Sequence, residues 1–254
     1  MSDRTTAEWV SPSAGEGPEG WLARPAGSEP LGAVIVAGEM FGVNGHLRGI
    51  CERLAEAGYA ALAPDFYWRT GRRRGLGYDE DARTEGRRLM TGLRREEVLA
   101  DLAAAREYAA GLAGAGGIGM LGFSLGGHIA VLGATALRFD LVVSYYGGWL
   151  LDGGLPLADP LPPIARSAEI AERTGYLLGF FGADDFVMSL DEWHRVGERL
   201  AAAGVPHEQV TYEQVGHGFF NDERPDTYDA KASEDAWRRT LDALTTHVAR
   251  PRPS

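Results

Sequence analysis

The chain has 254 residues, of which 44% are hydrophobic, and this size and composition fit one large globular domain. Its 36 acidic and 25 basic residues give a formal net charge of −11, which argues against nucleic acid or an anionic membrane surface as a partner. No apolar run approaches the roughly 20 residues of a membrane-spanning helix, and the opening residues lack the apolar core of a signal peptide. The only cysteine, Cys51, excludes an internal disulfide, so we expect a cytoplasmic protein.

Strand and helix patterns alternate along the chain. After a short edge strand at Gly20–Arg24, mostly apolar runs predict strands at Ala33–Ala37, Tyr59–Ala63, Gly117–Leu121, Leu141–Tyr145, Tyr176–Phe181 and Glu208–Tyr212. Helical spacing predicts helices from Asn44 to Gly58, at Arg95–Gly111, from residue 125 to about Ala136, at Asp191–Ala203 and at Ala230–His247. This alternation predicts one α/β domain over residues 1–254, with a mostly parallel sheet flanked by helices on both faces.

The segment 147–174 fits no regular element well. It contains four prolines and a short helical patch near Ala168–Glu172. Connections of this length are often functional or mobile, so a lid over the site is one hypothesis and a plain surface excursion is the alternative.

The most informative stretch is Gly122-Phe123-Ser124-Leu125-Gly126, which lies between a predicted strand and a predicted helix. In this setting a G-x-S-x-G pattern indicates a tight turn that holds the serine hydroxyl clear of the backbone, with glycines where a Cβ would crowd the turn. The pattern therefore predicts Ser124 as a catalytic nucleophile.

A serine nucleophile needs a base, and the base needs an orienting acid. The strand that ends near Phe181 is followed by Asp184 and Asp185, and the last strand is followed by His217 between two glycines. Both positions lie at the carboxyl ends of strands, where active sites of such sheets are found. We predict His217 as the base and favour Asp184 over its neighbour Asp185 as the acid.

The oxyanion of the reaction needs preorganised donors. The backbone N–H of Leu125, directly after the nucleophile, is one candidate, and that of Met40 on the loop after the strand Ala33–Ala37 is the other. Glu39, an acid among apolar residues, is predicted either to pair with an arginine or to hydrogen-bond the serine, with an ordinary surface acid as the alternative. No metal-ligand cluster and no dinucleotide-binding glycine pattern is evident, so we expect no metal and no cofactor.

With these residues the chain resembles the dienelactone hydrolase family of the α/β-hydrolase superfamily. The similarity extends from about Gly20 to the C-terminal helix, and it rests on residues 34–44, 58–67, 122–127, 144–147, 182–187 and 216–219. The resemblance implies an α/β-hydrolase fold, a triad of Ser124, Asp184 and His217 with Glu39 beside the nucleophile, and hydrolysis of a lactone or ester without a cofactor.

Two departures from the family pattern affect the expected chemistry. The best-known members have cysteine where this chain has Ser124, and in them the glutamate at the Glu39 position helps to generate a thiolate. A serine cannot be ionised in that way, so we expect Ser124 to depend on His217. Members that cleave dienelactone hold its carboxylate with two arginines, one of which is replaced here by Asn221.

The second arginine of that pair falls near Arg83, with Arg87 and Arg88 as nearby alternatives. Because asparagine cannot supply bidentate recognition of a carboxylate, we do not expect dienelactone itself to be the substrate. An aromatic pocket for a larger, less charged group could instead be built from Phe41, Trp68, Tyr145, Trp149, Phe186 and Phe219.

The expected function is a serine hydrolase that cleaves a small-molecule carboxylic ester or lactone through an acyl-enzyme. The alternatives are acyl transfer or lactone formation through the same acyl-enzyme, and a non-catalytic small-molecule binding protein on the same fold. We expect no nucleic-acid or membrane partner and either a monomer or a homodimer.

Overall fold

A computed structural model describes residues 4–13, 15–114 and 116–249 of the chain. Within them, eight strands form one sheet in the order β1-β2-β4-β3-β5-β6-β7-β8. The strands are β1 (Thr5–Val10), β2 (Gly20–Pro25), β3 (Ala33–Ala37), β4 (Ala60–Pro64), β5 (Ile118–Phe123), β6 (Phe139–Tyr145), β7 (Thr174–Gly182) and β8 (His207–Tyr212). The pairings of β2 with β1 and with β4 are antiparallel, and all others are parallel. The mostly parallel sheet that the sequence predicts is confirmed.

Helices cover both faces of the sheet. They are α1 (Gly45–Glu56), α2 (Glu80–Thr91), α3 (Arg95–Leu112), α4 (Leu125–Ala134), α5 (Ser167–Arg173), α6 (Leu190–Ala202) and α7 (Ala230–His247). One hydrophobic cluster joins the sheet to α1 and α7, and a second joins its other face to α2 through α6. Every residue of β3, β4 and β5 is therefore buried, which explains why these strands are apolar without alternation.

Two elements have no counterpart among the sequence predictions. Strand β1 pairs with β2 along its whole length, so the edge of the sheet is β1 and not Gly20–Arg24 as predicted. Helix α2 lies between β4 and α3, and only Gly86 and Leu89 of its residues are buried. A strand half-exposed at the edge and a helix with so small an apolar face give weak periodic signals, which is why both were missed.

The segment 147–174 contains two 3-10 turns, Pro156–Ala158 and Pro163–Arg166, followed by α5. Most of its apolar side chains, with Leu161 as an exposed exception, are buried in the cluster that covers α3, α4 and α6. The Arg95 guanidinium on α3 donates to the carbonyl oxygens of Asp159 and Leu161, at 3.1 and 2.7 Å. These contacts fix the segment against the body of the protein, and a lid movement stays a prediction.

Among the residues that the structure describes, no helix is both long and apolar enough to cross a membrane. The thiol of Cys51 is buried within α1, where the sequence also places it.

Candidate active site

Ser124 lies in the turn between β5 and α4 with φ +53° and ψ −112°, a backbone conformation that L-residues rarely adopt. The turn is possible only with glycines on either side. A Cβ on Gly122 would overlap the carbonyl oxygen of Gly126, and a Cβ on Gly126 would overlap that of Ala37. This geometry is the exposed nucleophile turn that the G-x-S-x-G pattern predicts.

The pairing of β3 with β5 places the loop that follows β3 beside Ser124. Ala37, the last residue of β3, pairs with Gly122 of β5. The Gly126 N–H then donates to the Gly38 carbonyl oxygen at 3.0 Å. The loop that carries Glu39 and Met40 is therefore fixed beside Ser124.

His217, on the loop after β8, connects Ser124 to a carboxylate. The Ser124 Oγ lies 2.8 Å from His217 Nε2, and His217 Nδ1 lies 2.8 Å from Asp185 Oδ2. Because a carboxylate only accepts, Nδ1 carries the proton and Nε2 is free to accept from the serine hydroxyl. The three side chains form a continuous hydrogen-bonded relay.

The carboxylate in this relay is Asp185, so the sequence preference for Asp184 is wrong. After β7 the chain turns with the Asp185 N–H donating to the Gly182 carbonyl oxygen at 3.0 Å. This turn leaves Asp184 exposed and buries the Asp185 side chain to 1% exposure. The second oxygen of Asp185 accepts from the Val187 N–H at 2.7 Å, which fixes the carboxylate.

Glu39 lies in a polar cluster beside the relay. One of its carboxylate oxygens accepts from the Tyr146 hydroxyl at 3.3 Å, and the other accepts from Asn221 Nδ2 at 3.1 Å. That second oxygen also lies 3.9 Å from Arg224 Nη1, with both side chains less than a tenth exposed. Of the alternatives the sequence offers for Glu39, the structure shows the pairing with an arginine.

Two tyrosines complete the cluster. Burial raises the pKa of Tyr146, and the neighbouring Glu39 carboxylate raises it further, so the phenol stays protonated and donates to Glu39. The Tyr78 oxygen accepts from Asn44 Nδ2 at 2.9 Å and from Asn221 Nδ2 at 3.1 Å, and burial raises the pKa of Tyr78 as well. The cluster is thus built around the Glu39 carboxylate. The positive charge of Arg224 balances the negative charge of that carboxylate.

A cavity of about 220 Å³ opens above Ser124 and His217. Its wall combines apolar side chains with three arginines and one acid: Met40, Phe41, Met90, Trp149, Phe186, Val187, Arg83, Arg87, Arg224 and Glu39. Phe41, Arg83, Trp149 and Phe186 therefore lie where the sequence predicts pocket residues. The arginines make the cavity more cationic than the sequence suggests.

Four predicted pocket residues lie outside this lining: Trp68, Tyr145, Phe219 and Asn221. The Trp68 indole donates to Asp101 Oδ2 at 3.1 Å, and Phe219 is fully buried in the core. Tyr145 is fully buried on the α7 side of the sheet, where its hydroxyl contacts Thr240 Oγ1 at 2.6 Å. The next residue, Tyr146, lies beyond the end of β6 in a turn with φ +40°, and it is this tyrosine that reaches Glu39. Asn221 is 1% exposed and lies behind Glu39, where it supports that carboxylate and does not line the cavity.

The candidate oxyanion donors lie next to Ser124. Leu125 is the first residue of α4, so its N–H is one of the unpaired amides at a helix N-terminus. Met40 lines the cavity, and its carbonyl oxygen accepts from the Tyr67 hydroxyl at 3.1 Å, which holds the loop. Their role as oxyanion donors stays a prediction.

Sequence reasoning missed Tyr146, Arg224 and Met90. Arg224 follows His217 on an irregular loop, and Tyr146 follows a strand in a turn with φ +40°. Neither position belongs to a periodic pattern, so only the folded chain shows what each contacts. Met90 belongs to α2, the helix that the sequence did not indicate.

Residues 19–248 match the sequence profile of the dienelactone hydrolase family. The chain belongs to this family. A protein of Synechocystis sp., provisionally named carboxymethylenebutenolidase, is 33% identical over 231 residues, which are 90% of this chain and 92% of that protein. The Rhodococcus opacus carboxymethylenebutenolidase is 28% identical over 85% of this chain and 81% of its own length.

A crystal structure supports the same assignment. A provisionally named dienelactone hydrolase from Klebsiella pneumoniae matches with a TM-score of 0.82 and 32% identity, covering 95% of this chain and 98% of its own. The predicted α/β-hydrolase fold is therefore confirmed, and the chain is an enzyme of the hydrolase class as its family is. Dienelactone hydrolases act on lactones or esters, which is the reaction class that the family supports for this chain.

Proposed function

We propose that this dienelactone hydrolase family member is a serine hydrolase that cleaves carboxylic esters or lactones through an acyl-enzyme, with Ser124, His217 and Asp185 as its triad. The observation behind this proposal is the pair of 2.8 Å hydrogen bonds that connects the three side chains at the base of the cavity. The strained backbone at Ser124 supports it, because such strain is found where a side chain must be held in one position for reaction.

In the first half of the reaction His217 Nε2 takes the proton as Ser124 Oγ attacks the carbonyl carbon. The Leu125 and Met40 N–H groups donate to the oxyanion that forms. The carbon–oxygen bond to the leaving group then breaks, and His217 returns its proton to the leaving oxygen. In the second half, water attacks the acyl group with His217 as its base, and Ser124 regains its proton. Asp185 stabilises the imidazolium in both halves.

Glu39 has a supporting role in this serine enzyme. Both of its oxygens are already engaged, one by Tyr146 and the other by Asn221, with the Arg224 guanidinium nearby. Its charge therefore offsets that of Arg224 and fixes the loop that carries Met40. The base for Ser124 remains His217.

The names of the relatives refer to a butenolide that bears a carboxymethylene group. We infer that carboxylate-bearing lactones are candidate substrates here too, because the Arg224 guanidinium reaches the cavity although the expected position holds Asn221. Arg224 is nine-tenths buried, and among the described residues its Nε has no hydrogen-bond partner. That Nε is itself buried, so a substrate carboxylate would meet the part of Arg224 that lines the cavity.

The test is the Ser124→Ala variant with p-nitrophenyl acetate, followed in the pre-steady state. We expect the wild type to release a burst of nitrophenol and Ser124→Ala to lose both the burst and at least about a thousandfold in turnover. Ser28→Ala, which changes an exposed loop serine, is the matched control and should keep both. Full turnover by Ser124→Ala would rule out the assignment.

A further inference from the structure

Phe186 is the most exposed large hydrophobic residue among those that the structure describes, at 82% exposure. Single exposed apolar side chains are common on protein surfaces and need no explanation by themselves. This one differs because it lines the cavity and because its ring centroid lies 5.3 Å from that of His217.

The backbone around Phe186 is fixed by the same carboxylate that orients His217. Asp185 accepts from His217 through one oxygen and from the Val187 N–H through the other. The Val187 side chain lies directly against Gly148, so close that a Cβ on that glycine would overlap it. The next residue, Trp149, also lines the cavity. The backbone on both sides of Phe186 is therefore held beside the cavity.

The imidazole of His217 has aromatic neighbours on two sides, and only one of them is open. The Tyr146 ring lies 5.1 Å away, but Tyr146 is 1% exposed and closes the inner side. Phe186 borders the outer side, which faces the cavity. A group that receives a proton from His217 Nε2 must approach from this open side.

In an acyl transfer, the group that receives this proton is the leaving oxygen. We propose that Phe186, together with Trp149 and Val187, forms a subsite for a flat apolar leaving group, so that aryl esters are preferred over alkyl esters of the same acid. The inference rests on the proposed serine hydrolase function and specifies which part of the substrate this wall contacts. Flat rings gain from stacking against aromatic side chains in a way that small alkyl groups do not.

One kinetic consequence separates this role from a general effect on the site. With an open-chain ester, the leaving alcohol has departed before the acyl-enzyme reacts with water, so Phe186 affects acylation and not deacylation. A residue that merely supported His217 would affect both steps, because His217 is the base in each.

The experiment compares phenyl acetate with trifluoroethyl acetate, an activated ester whose leaving group is small and not flat. We expect Phe186→Ala to lower kcat/KM for phenyl acetate about tenfold more than for trifluoroethyl acetate, as one hydrophobic contact in a binding pocket does. The deacylation rate, which both esters share through their common acetyl group, should stay at the wild-type value. Phe186→Tyr keeps a flat ring and should restore the preference. Leu161→Ala, at an exposed residue outside the cavity lining, is the control.

An unchanged ratio between the two esters in Phe186→Ala would overturn the inference, as would an equal loss in the deacylation rate. A changed oligomeric mass with an unchanged ratio would assign Phe186 to a contact between subunits and also overturn it. Each of these three results leaves the proposed function standing if wild type still turns over phenyl acetate and Ser124→Ala does not. Absence of turnover in the wild type would reject both together.

Discussion

Replacing Asp185 with asparagine tests whether Asp185, and not Asp184, is the acid of the proposed triad. The carboxylate lies 2.8 Å from His217 Nδ1 and its side chain is 1% exposed, so solvent screens it little. When His217 becomes an imidazolium, the two charges are about 4 Å apart, and at an effective dielectric constant of about 20 their attraction is about 4 kcal/mol. Each 1.36 kcal/mol is about a factor of ten in rate, so Asp185→Asn should lower kcat/KM about a thousandfold.

The matched control is Asp184→Asn, which makes the same chemical change one residue earlier in the chain. Asp184 is exposed, and we expect its loss to change kcat/KM for phenyl acetate by less than about threefold. Thermal unfolding of both variants checks that the fold is intact. A large loss in Asp184→Asn together with near wild-type activity in Asp185→Asn would refute the relay described above and restore Asp184 as the acid.

Three further predictions concern the cavity, the nucleophile turn and a buried histidine. Arg224→Gln should lower turnover of a carboxylate-bearing lactone about tenfold more than that of phenyl acetate, since only the lactone offers a charge to the guanidinium; equal losses would contradict a substrate contact. Gly126→Ala places a Cβ in the Ala37 carbonyl oxygen and should lower the free energy of unfolding in urea by at least about 2 kcal/mol, whereas Gly49→Ala, with open space around it in α1, should cost nothing. Burial lowers the pKa of His128 to about 4, so between pH 6.5 and 4 the unfolded chain binds a proton that the folded chain does not. Stability should therefore be full above about pH 6.5 and fall by up to about 3 kcal/mol towards pH 4. His128→Gln should flatten that fall in urea unfolding at several pH values, and an unchanged slope would contradict the assignment.

The central strands and the tight turn at Ser124 were predictable because their signals are local. Ala33–Ala37 is a strand with those same bounds, and Ser124 sits between glycines that no other residue could replace. The position of His217 followed from the same logic, since a loop after the last strand of a parallel sheet ends at the active edge. In each case a few neighbouring residues determine the outcome.

The errors at the site have a different cause. Asp184 and Asp185 are adjacent acids after one strand, and only the turn that closes on Gly182 decides which side chain points inward. Tyr145 is the last residue of β6 and Tyr146 begins the turn after it, so two adjacent buried tyrosines reach different partners, Thr240 and Glu39. A shift of one residue reverses the direction of a side chain, and the sequence alone did not fix that shift.

Arg224 shows a third kind of limit. The family pattern expects an arginine at the position of Asn221, and its absence suggested a less charged pocket. In the fold, Asn221 and Arg224 both contact Glu39, but only Arg224 reaches the cavity. The charge is therefore supplied from a different position on the same loop, which position-by-position comparison cannot detect.

Trapping the acyl-enzyme tests the central claim most directly. Wild-type protein is mixed with p-nitrophenyl acetate, quenched in acid during the burst, digested and analysed by mass spectrometry. For the wild type, the proposed mechanism predicts one added acetyl group on the peptide that contains Ser124. Ser124→Ala should show none. Asp185→Asn should show a stronger signal if it deacylates more slowly than it acylates. An acetyl group on another residue, or turnover without any modification at Ser124, would contradict it.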